Sequence, residues 1–208
     1  MFKRCLNINS VILLVFPIIS IALAILILYN NPEAIKKQDA IIFTYLNNAV
    51  KGRVGYGFNA YYDNDISFSG LEPGDIVLGA YPGCAYGGFS HAGVYIGNGR
   101  VLESYVDLGV TIQPIEHYRE YSRIALLRVN ADVRDKQMAI DYMQKFLGQM
   151  FYPMAFKPGE RFWNCTKIMW KAYYLQGIDL SISKDLWVTP DEFYYSPNVS
   201  VIREKERE

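Results

Sequence analysis

Three residues of this chain could together form a nucleophilic site: Cys165, His91 and Glu103. Cys165 follows Asn164, a residue favoured at helix N-caps, so its thiol would lie at the positive end of a helix dipole. That position favours the thiolate, the form that attacks carbonyl carbons. His91 begins a β-branched run directly after a glycine-rich loop, and a strand end is a rigid place to hold the base that such a nucleophile needs. Glu103, on the following run, would orient the imidazole.

The turn between the two predicted strands, Gly97–Gly99, decides whether Glu103 can reach His91. A two-residue turn would pair Val94 with Glu103, and His91 would then face the opposite side of the sheet. A three-residue loop would pair Gly93 with Glu103 and make His91 its diagonal neighbour on one face, about 7–8 Å away at Cα. The two glycines of the turn permit both forms. The sequence therefore leaves the register open, and Glu103 could equally be a solvent-facing strand residue.

Other residues compete for roles in the same site. Cys84 is a rival nucleophile in a Gly/Pro-rich loop, and outside the cell it could form a disulfide with Cys165. His117 lies in the polar segment Glu116–Glu120, which we interpret as a solvated helical turn or loop, so we expect it to be a poor base. The backbone N–H of Cys165 is the natural first oxyanion donor. Tyr152 is our candidate for the second donor, with packing beside neighbouring phenylalanines as its alternative.

The elements that must position these residues predict an α+β domain. Five short β-branched runs separated by turn residues favour an antiparallel, meandering sheet: 75–81, 91–96, 101–106, 110–115 and 124–129. Two helices follow, the first capped by Asp132 and ending at Gly148, the second capped by Asn164 and ending at Gly177. The tail 185–197 contains two prolines and predicts an ordered segment without regular structure.

An uncharged run of 19 residues, Val11–Tyr29, is long enough to span a bilayer. We predict an uncleaved signal-anchor rather than a signal peptide, because the small residues that could mark a cleavage site lie inside the run. Lys3 and Arg4 favour a cytoplasmic N-terminus and a C-terminal domain outside the cytoplasm. The predicted boundaries are 1–32 for the anchor, 33–70 for a membrane-proximal helix and loop, and 71–208 for the domain that carries the chemistry.

Composition excludes several classes of protein. The chain has 208 residues, 51% hydrophobic and 15% aromatic, which is too apolar for a disordered protein and enough for one buried core. Its 21 basic and 21 acidic residues give no net charge, so we predict no nucleic-acid partner. Three cysteines and two histidines provide neither a disulfide framework nor a four-cysteine zinc site. We therefore predict no metal and no organic cofactor.

Several motifs lie between Leu71 and the C-terminus: Pro73–Val77 (PGDIV), Ser90–Gly97 (SHAGVYIG), Val101–Glu103 (VLE), Tyr152, Asn164–Thr166 (NCT) and Val188–Phe193 (VTPDEF). Together they resemble the YiiX/YaeF-type permuted papain-like amidases, relatives of the NlpC cell-wall peptidases. In that permuted group the histidine precedes the cysteine, as His91 precedes Cys165 here. The resemblance implies a circularly permuted papain-like (NlpC-like) fold, with an antiparallel sheet packed on helices. It also implies Cys165 as nucleophile, His91 as base and Glu103 as the orienting acid.

The predicted function is a membrane-anchored cysteine hydrolase that cleaves an amide, in a cell-wall peptide, through a thiol acyl-enzyme. A lipid ester or amide hydrolase or acyltransferase on the same fold is the alternative, because a membrane anchor suits a lipid substrate equally well. A non-catalytic binding module is a further alternative, whose aromatic loop residues would stack on sugars or peptides: Tyr56, Phe58, Tyr61, Tyr62 and Tyr86. The sequence does not specify the oligomeric state.

Overall fold

The computed structural model describes residues 41–207 and, nearer the N-terminus, residues 19, 22, 23, 25–27, 29 and 30, which are helical. The predicted anchor and the start of the predicted membrane-proximal helix therefore lie largely outside the described residues. Within the part of the chain that is described, no helix combines the length and the apolar character needed to cross a bilayer. The anchor and the domain boundaries stay predictions.

The regular elements occur at nearly the bounds that the sequence predicts, except in the tail. In chain order they are helix α1 (Ile41–Val50), strands β1 (Ile76–Ala80), β2 (His91–Gly97), β3 (Arg100–Tyr105) and β4 (Gly109–Pro114), a 3-10 helix (Ile115–Glu120), strand β5 (Arg123–Val129), helices α2 (Val133–Gln144), α3 (Cys165–Tyr174) and α4 (Pro190–Tyr194), and strand β6 (Val199–Glu206). The prediction of an irregular tail is wrong in part. The short helix α4 lies within it, and the unpredicted strand β6 follows it.

The six strands form one antiparallel sheet in the order β4-β3-β2-β1-β5-β6. Successive side chains of a strand point to opposite faces, so both faces carry apolar residues. One face packs on α2 and α3 and forms the larger core, which includes Trp163 and Tyr173. The other face is covered by the 3-10 helix and by loop residues such as Ile66. Because both faces are covered, polar side chains on the central strands lie in a dry interior.

The hairpin between β2 and β3 pairs Gly93 with Glu103, which is the second of the two registers that the sequence allows. The turn itself has two residues, because Gly97 pairs with Arg100. A bulge at Ile96 then shifts the pairing, which gives the register expected of the three-residue loop. Every residue of Gly97–Gly99 has a positive φ, a conformation that glycine adopts at little cost and asparagine tolerates. The bulge therefore places His91 and Glu103 on the same face of the sheet.

A buried carboxylate joins α2 to the centre of the sheet. Asp75, in the Pro-Gly-Asp sequence before β1, is fully buried. Its Oδ2 accepts a hydrogen bond from Arg128 Nη2 at 2.9 Å, and its Oδ1 accepts one from Lys136 Nζ at 3.2 Å. The side chain of Lys136 is itself only 6% exposed. Each buried charge of this cluster therefore depends on the others.

Replacing Asp75 with asparagine should destabilise the fold strongly, because it leaves the Lys136 ammonium buried without its counter-charge. We expect the free energy of unfolding to fall by about 3–5 kcal/mol in urea titrations. The control is Asp141→Asn, which alters an exposed side chain of the same helix α2. It should change the free energy of unfolding by about 0.5 kcal/mol or less. Equal effects of the two substitutions would contradict this account of Asp75.

Candidate active site

Cys165 is the first residue of α3, at the end of the helix where the sequence places it. The helix starts there because the Asn164 side chain accepts a hydrogen bond from the Lys167 N–H at 2.8 Å and caps the first turn. Helix α3 packs against β2 and β3, the strands that carry His91 and Glu103. The Cys165 thiol is 8% exposed, so it is largely shielded from water.

His91 joins the cysteine to the acid. Its Nε2 lies 2.7 Å from Glu103 Oε2, and its side chain also interacts with Cys165. Because Nε2 is engaged by the carboxylate, Nδ1 is the ring nitrogen that serves the thiol. The imidazole stacks on Tyr121, with 6.1 Å between ring centroids, and meets the edge of Tyr105 at 5.2 Å. These rings restrict its rotation, so the structure brings the three predicted residues together in a fixed order.

The charges of this group stabilise one another. Burial alone would lower the pKa of His91, but the Glu103 carboxylate and the contact with Cys165 outweigh it and raise that pKa to about 10. Burial alone would raise the pKa of Glu103, but the charge on His91 and the contacts with both histidines lower it to about 2. At neutral pH the pair is therefore an imidazolium and a carboxylate, which is the charge state that stabilises a neighbouring thiolate.

Two residues of the 3-10 helix also contact the Glu103 carboxylate. The buried Tyr118 donates a hydrogen bond to Glu103 Oε2 at 3.0 Å, and His117 Nε2 lies 2.9 Å from Glu103 Oε1. Our interpretation of His117 as a residue of a solvated turn is wrong in part. Its side chain is only 18% exposed and faces the acid. Sequence reasoning missed both contacts, although the alternation of polar residues with buried Ile115 and Tyr118 hinted at a covered helical turn.

Cys84 lies near the site without belonging to the hydrogen-bonded group. Both Cys84 and Cys165 are free thiols, so no disulfide joins them. Cys84 is buried against the carbonyl of Phe89, with 3.8 Å between sulfur and oxygen, and burial raises the pKa of its thiol to about 11. It is therefore protonated at neutral pH and a poor nucleophile. Tyr86 interacts electrostatically with both sulfurs and donates a hydrogen bond to the Ser90 carbonyl at 2.7 Å.

A carboxylate from the tail fixes the loop that leads into His91. Asp191 of α4 accepts hydrogen bonds from the Gly88 N–H at 2.7 Å and the Phe89 N–H at 3.3 Å. A Cβ added at Gly87 would lie 1.6 Å from Asp191 Oδ2, so only glycine fits there. The Thr-Pro-Asp-Glu sequence is typical of a helix start and could have predicted α4. It could not have predicted that Asp191 contacts the loop before His91.

Cys165 opens into a cavity of about 610 Å³ whose walls are almost entirely apolar. Helix α1 forms one wall and is held in place by a hydrogen bond from the Ile41 N–H to Asp185 Oδ2 at 3.0 Å. The remaining walls come from Ile27 and from several loops. The apolar side chains that line the cavity include Ile27, Ile42, Tyr45, Leu46, Phe151, Met154, Phe156, Leu186, Trp187 and Val188. Such a cavity accommodates an apolar group bound next to the thiol.

Tyr152 lies away from this cavity. Its ring packs edge-on against Phe162, with 4.6 Å between centroids, and lines a separate surface pocket with Glu160 and Arg161. The position matches the packing alternative rather than the oxyanion role that we predicted. The backbone N–H of Cys165 remains the candidate oxyanion donor, because amides of a first helical turn have no intrahelical acceptor.

Comparison with protein families agrees with this arrangement. Residues 71–202 match a family described as permuted papain-like amidase enzyme, YaeF/YiiX, C92 family. The chain belongs to this family. The match contains Cys165, His91 and Glu103, whereas α1 lies before it. The resemblance seen in the sequence is thereby confirmed.

A solved structure has the same amidase-family fold. It is titled metalloprotein yiiX from Escherichia coli O157:H7, and it is 15% identical in sequence, with a TM-score of 0.55 over 65% of this chain and 98% of that chain. At that identity the likeness shows the fold alone. No curated protein matches the chain.

Because that protein is named a metalloprotein, the potential metal ligands of this chain are relevant. Over the described residues of this family member, no three His, Cys, Asp or Glu side chains come together as a group that could hold a metal ion. The described residues therefore do not fit a metal site.

The raised pKa of His91 and the lowered pKa of Glu103 give the fold a pH dependence. Since the pKa of His91 is raised from about 6.5, its contribution to stability is complete below pH 6.5 and is lost as the pH rises towards 10. For Glu103, whose pKa is lowered, the contribution is present above pH 4.5 and is lost as the pH falls towards 2. We expect Glu103→Gln to abolish both dependences.

The His91 imidazole, followed by NMR, should titrate near pH 10 in the wild type and well below it in Glu103→Gln, because only the contact with Cys165 then opposes the effect of burial. Glu116→Gln is the matched control, since the Glu116 side chain is 63% exposed. It should leave the titration unchanged. A wild-type His91 that titrates near 6.5 would show that the ion pair does not form.

Proposed function

We propose that this protein is a cysteine hydrolase that cleaves an acyl bond through a thioester on Cys165. The observation that supports the proposal is the hydrogen-bonded pair of His91 and Glu103 next to Cys165, which itself lines an apolar cavity. The family description as an amidase agrees with the reaction class. A non-catalytic module would have no need for a buried imidazolium–carboxylate pair next to a thiol in the first turn of a helix.

The reaction follows from the positions of these groups. The reacting state is a Cys165 thiolate beside the protonated His91, which holds the proton that the thiol gives up, and the thiolate attacks the carbonyl carbon of an amide or ester. The negative charge that develops on the carbonyl oxygen is stabilised by the Cys165 N–H and by the helix dipole. The bond to the leaving group breaks as His91 protonates the departing amine or alcohol. Water, deprotonated by His91, then cleaves the thioester, releases a carboxylic acid and restores the thiol.

For the substrate we propose a lipid amide or ester whose acyl chain occupies the cavity. The prediction of a cell-wall peptide depends on the resemblance to NlpC peptidases, and such peptides are polar whereas the cavity walls are not. Ile27, within the predicted anchor, lines the cavity together with residues of α1. An anchor at residues 11–29 would keep the cavity close to a membrane, where acyl lipids reside.

The first test maps the nucleophile. Brief treatment of the full-length chain with iodoacetamide, followed by peptide mapping, should modify Cys165 well before Cys84, because only the former is held by an imidazolium partner. His91→Gln should remove that preference by slowing modification of Cys165. The Cys84→Ala variant should keep the rapid modification of Cys165 and retain hydrolysis. Preferential labelling of Cys84 in the wild type would contradict the assignment of the nucleophile.

The second test concerns the acyl chain. Leu186 lines the cavity, so Leu186→Trp should reduce its volume, and Ile182→Trp is the control because Ile182 is 54% exposed and is not part of the lining. We expect Leu186→Trp to lower kcat/KM for p-nitrophenyl decanoate by about tenfold, equivalent to about 1.4 kcal/mol, and to leave p-nitrophenyl acetate nearly unaffected.

The same experiment is repeated with two natural substrates, purified muropeptides and phospholipid vesicles. Turnover of phospholipid without cleavage of muropeptide supports the lipid substrate. Cleavage of muropeptide alone would refute the lipid proposal and leave the cysteine mechanism intact. Loss of all turnover in Cys165→Ala is required in either case.

A further inference from the structure

The carboxylate of Glu103 has a second imidazole neighbour that the proposed mechanism does not use. Its Oε2 already receives hydrogen bonds from His91 at 2.7 Å and Tyr118 at 3.0 Å. Its Oε1 is directed away from that pair, and His117 Nε2 lies 2.9 Å from it. Glu103 is completely buried, so each of its oxygens needs a donor.

Oε1 of Glu103 and Nε2 of His117 depend on each other. Both atoms are buried, and among the described residues neither has an aligned hydrogen bond to any other group. Their separation is that of a hydrogen bond, although the ring is not turned to align its N–H with the oxygen. Unpaired buried polar atoms are costly, so this geometry favours their pairing.

The ring of His117 is in turn fixed by its surroundings. It lies 4.6 Å from the Tyr118 ring and meets the edge of Tyr105 on β3 at 5.9 Å, centroid to centroid. The other charged groups of the 3-10 helix are engaged elsewhere. Arg119 pairs with Glu116, and Glu120 accepts a hydrogen bond from Tyr105 at 3.1 Å. Glu103 is therefore the ionised group that His117 contacts directly.

We propose that His117 is a positioning residue, which holds Oε1 of Glu103 so that Oε2 stays directed at His91. This inference depends on the proposed function for its catalytic meaning. A carboxylate held at only one oxygen can rotate about its last bond and weaken its hold on the imidazolium. With both oxygens held, Glu103 keeps His91 protonated and keeps Cys165 in its reactive form.

The test compares two substitutions of His117 in the full-length chain. Glutamine keeps a donor at a similar distance, whereas leucine removes it. We expect His117→Leu to lower kcat for p-nitrophenyl acetate about tenfold with little change in KM, to slow the alkylation of Cys165 at pH 7, and to shift the NMR titration of His91 to lower pH. His117→Gln should keep each quantity within about threefold or half a pH unit of the wild type. Glu116→Gln, on the exposed side of the same 3-10 helix, should change none of them.

The outcomes separate the two proposals. Wild-type behaviour of His117→Leu in all three measurements would overturn the positioning role. Equal losses in both His117 variants, accompanied by a lower melting temperature, would also overturn it, because they would indicate packing alone. Failure of the proposed function would appear differently, as absence of turnover in the wild type. The titration of His91 and the alkylation of Cys165 would then still report whether His117 holds Glu103.

Discussion

The burial of one negative charge, on Glu103, organises the site and the strands around it. A carboxylate removed from water requires compensating donors and charges, and here these come from three directions: His91 on β2, and His117 and Tyr118 on the 3-10 helix. The bulge at Ile96 matters because it places this charge on the face where those donors lie. A change of one residue in that register would put the carboxylate on the opposite face.

Close packing around Glu103 also explains why the residue paired with it, Gly93, is a glycine. A Cβ at Gly93 would lie 2.4 Å from Val101 Cγ1, 2.7 Å from the Tyr118 hydroxyl and 3.2 Å from Glu103 Oε2. Any side chain at this position would therefore displace the Val101 side chain and the Tyr118 hydroxyl, which donates to the carboxylate. The glycine serves the geometry of the neighbouring acid rather than the flexibility of the backbone, because no unusual φ is needed there.

The sequence predicted strands β1 to β5 and the start of α3 at Cys165, because both depend on local signals. β-branched runs mark the strands β1 to β5, and Asn164 marks the start of α3. The strand β6 gave no such signal, since it lies at the edge of the sheet and mixes apolar with charged residues that stay accessible to solvent. Tyr152 was chosen on the family resemblance, which does not fix the direction of a side chain in an irregular loop.

The cavity and the role of His117 lay beyond sequence reasoning for a different reason. The cavity walls come from chain segments that are far apart in sequence, and each segment alone reads as ordinary apolar chain. His117 lies among charged residues in the sequence, which favours a solvated position. The fold instead places its ring against Tyr105 of β3. Long-range packing, which periodicity and capping rules do not encode, decides both features.

Helix α1 precedes the part of the chain that matches the amidase family, yet it closes one side of the cavity. The three residues of the candidate site lie within the family domain. The cavity beside them is lined partly by that domain and partly by residues that precede it, so α1 contributes to the shape of the cavity. Members of the family that differ only in this preceding helix would share a reaction and diverge in what they accept.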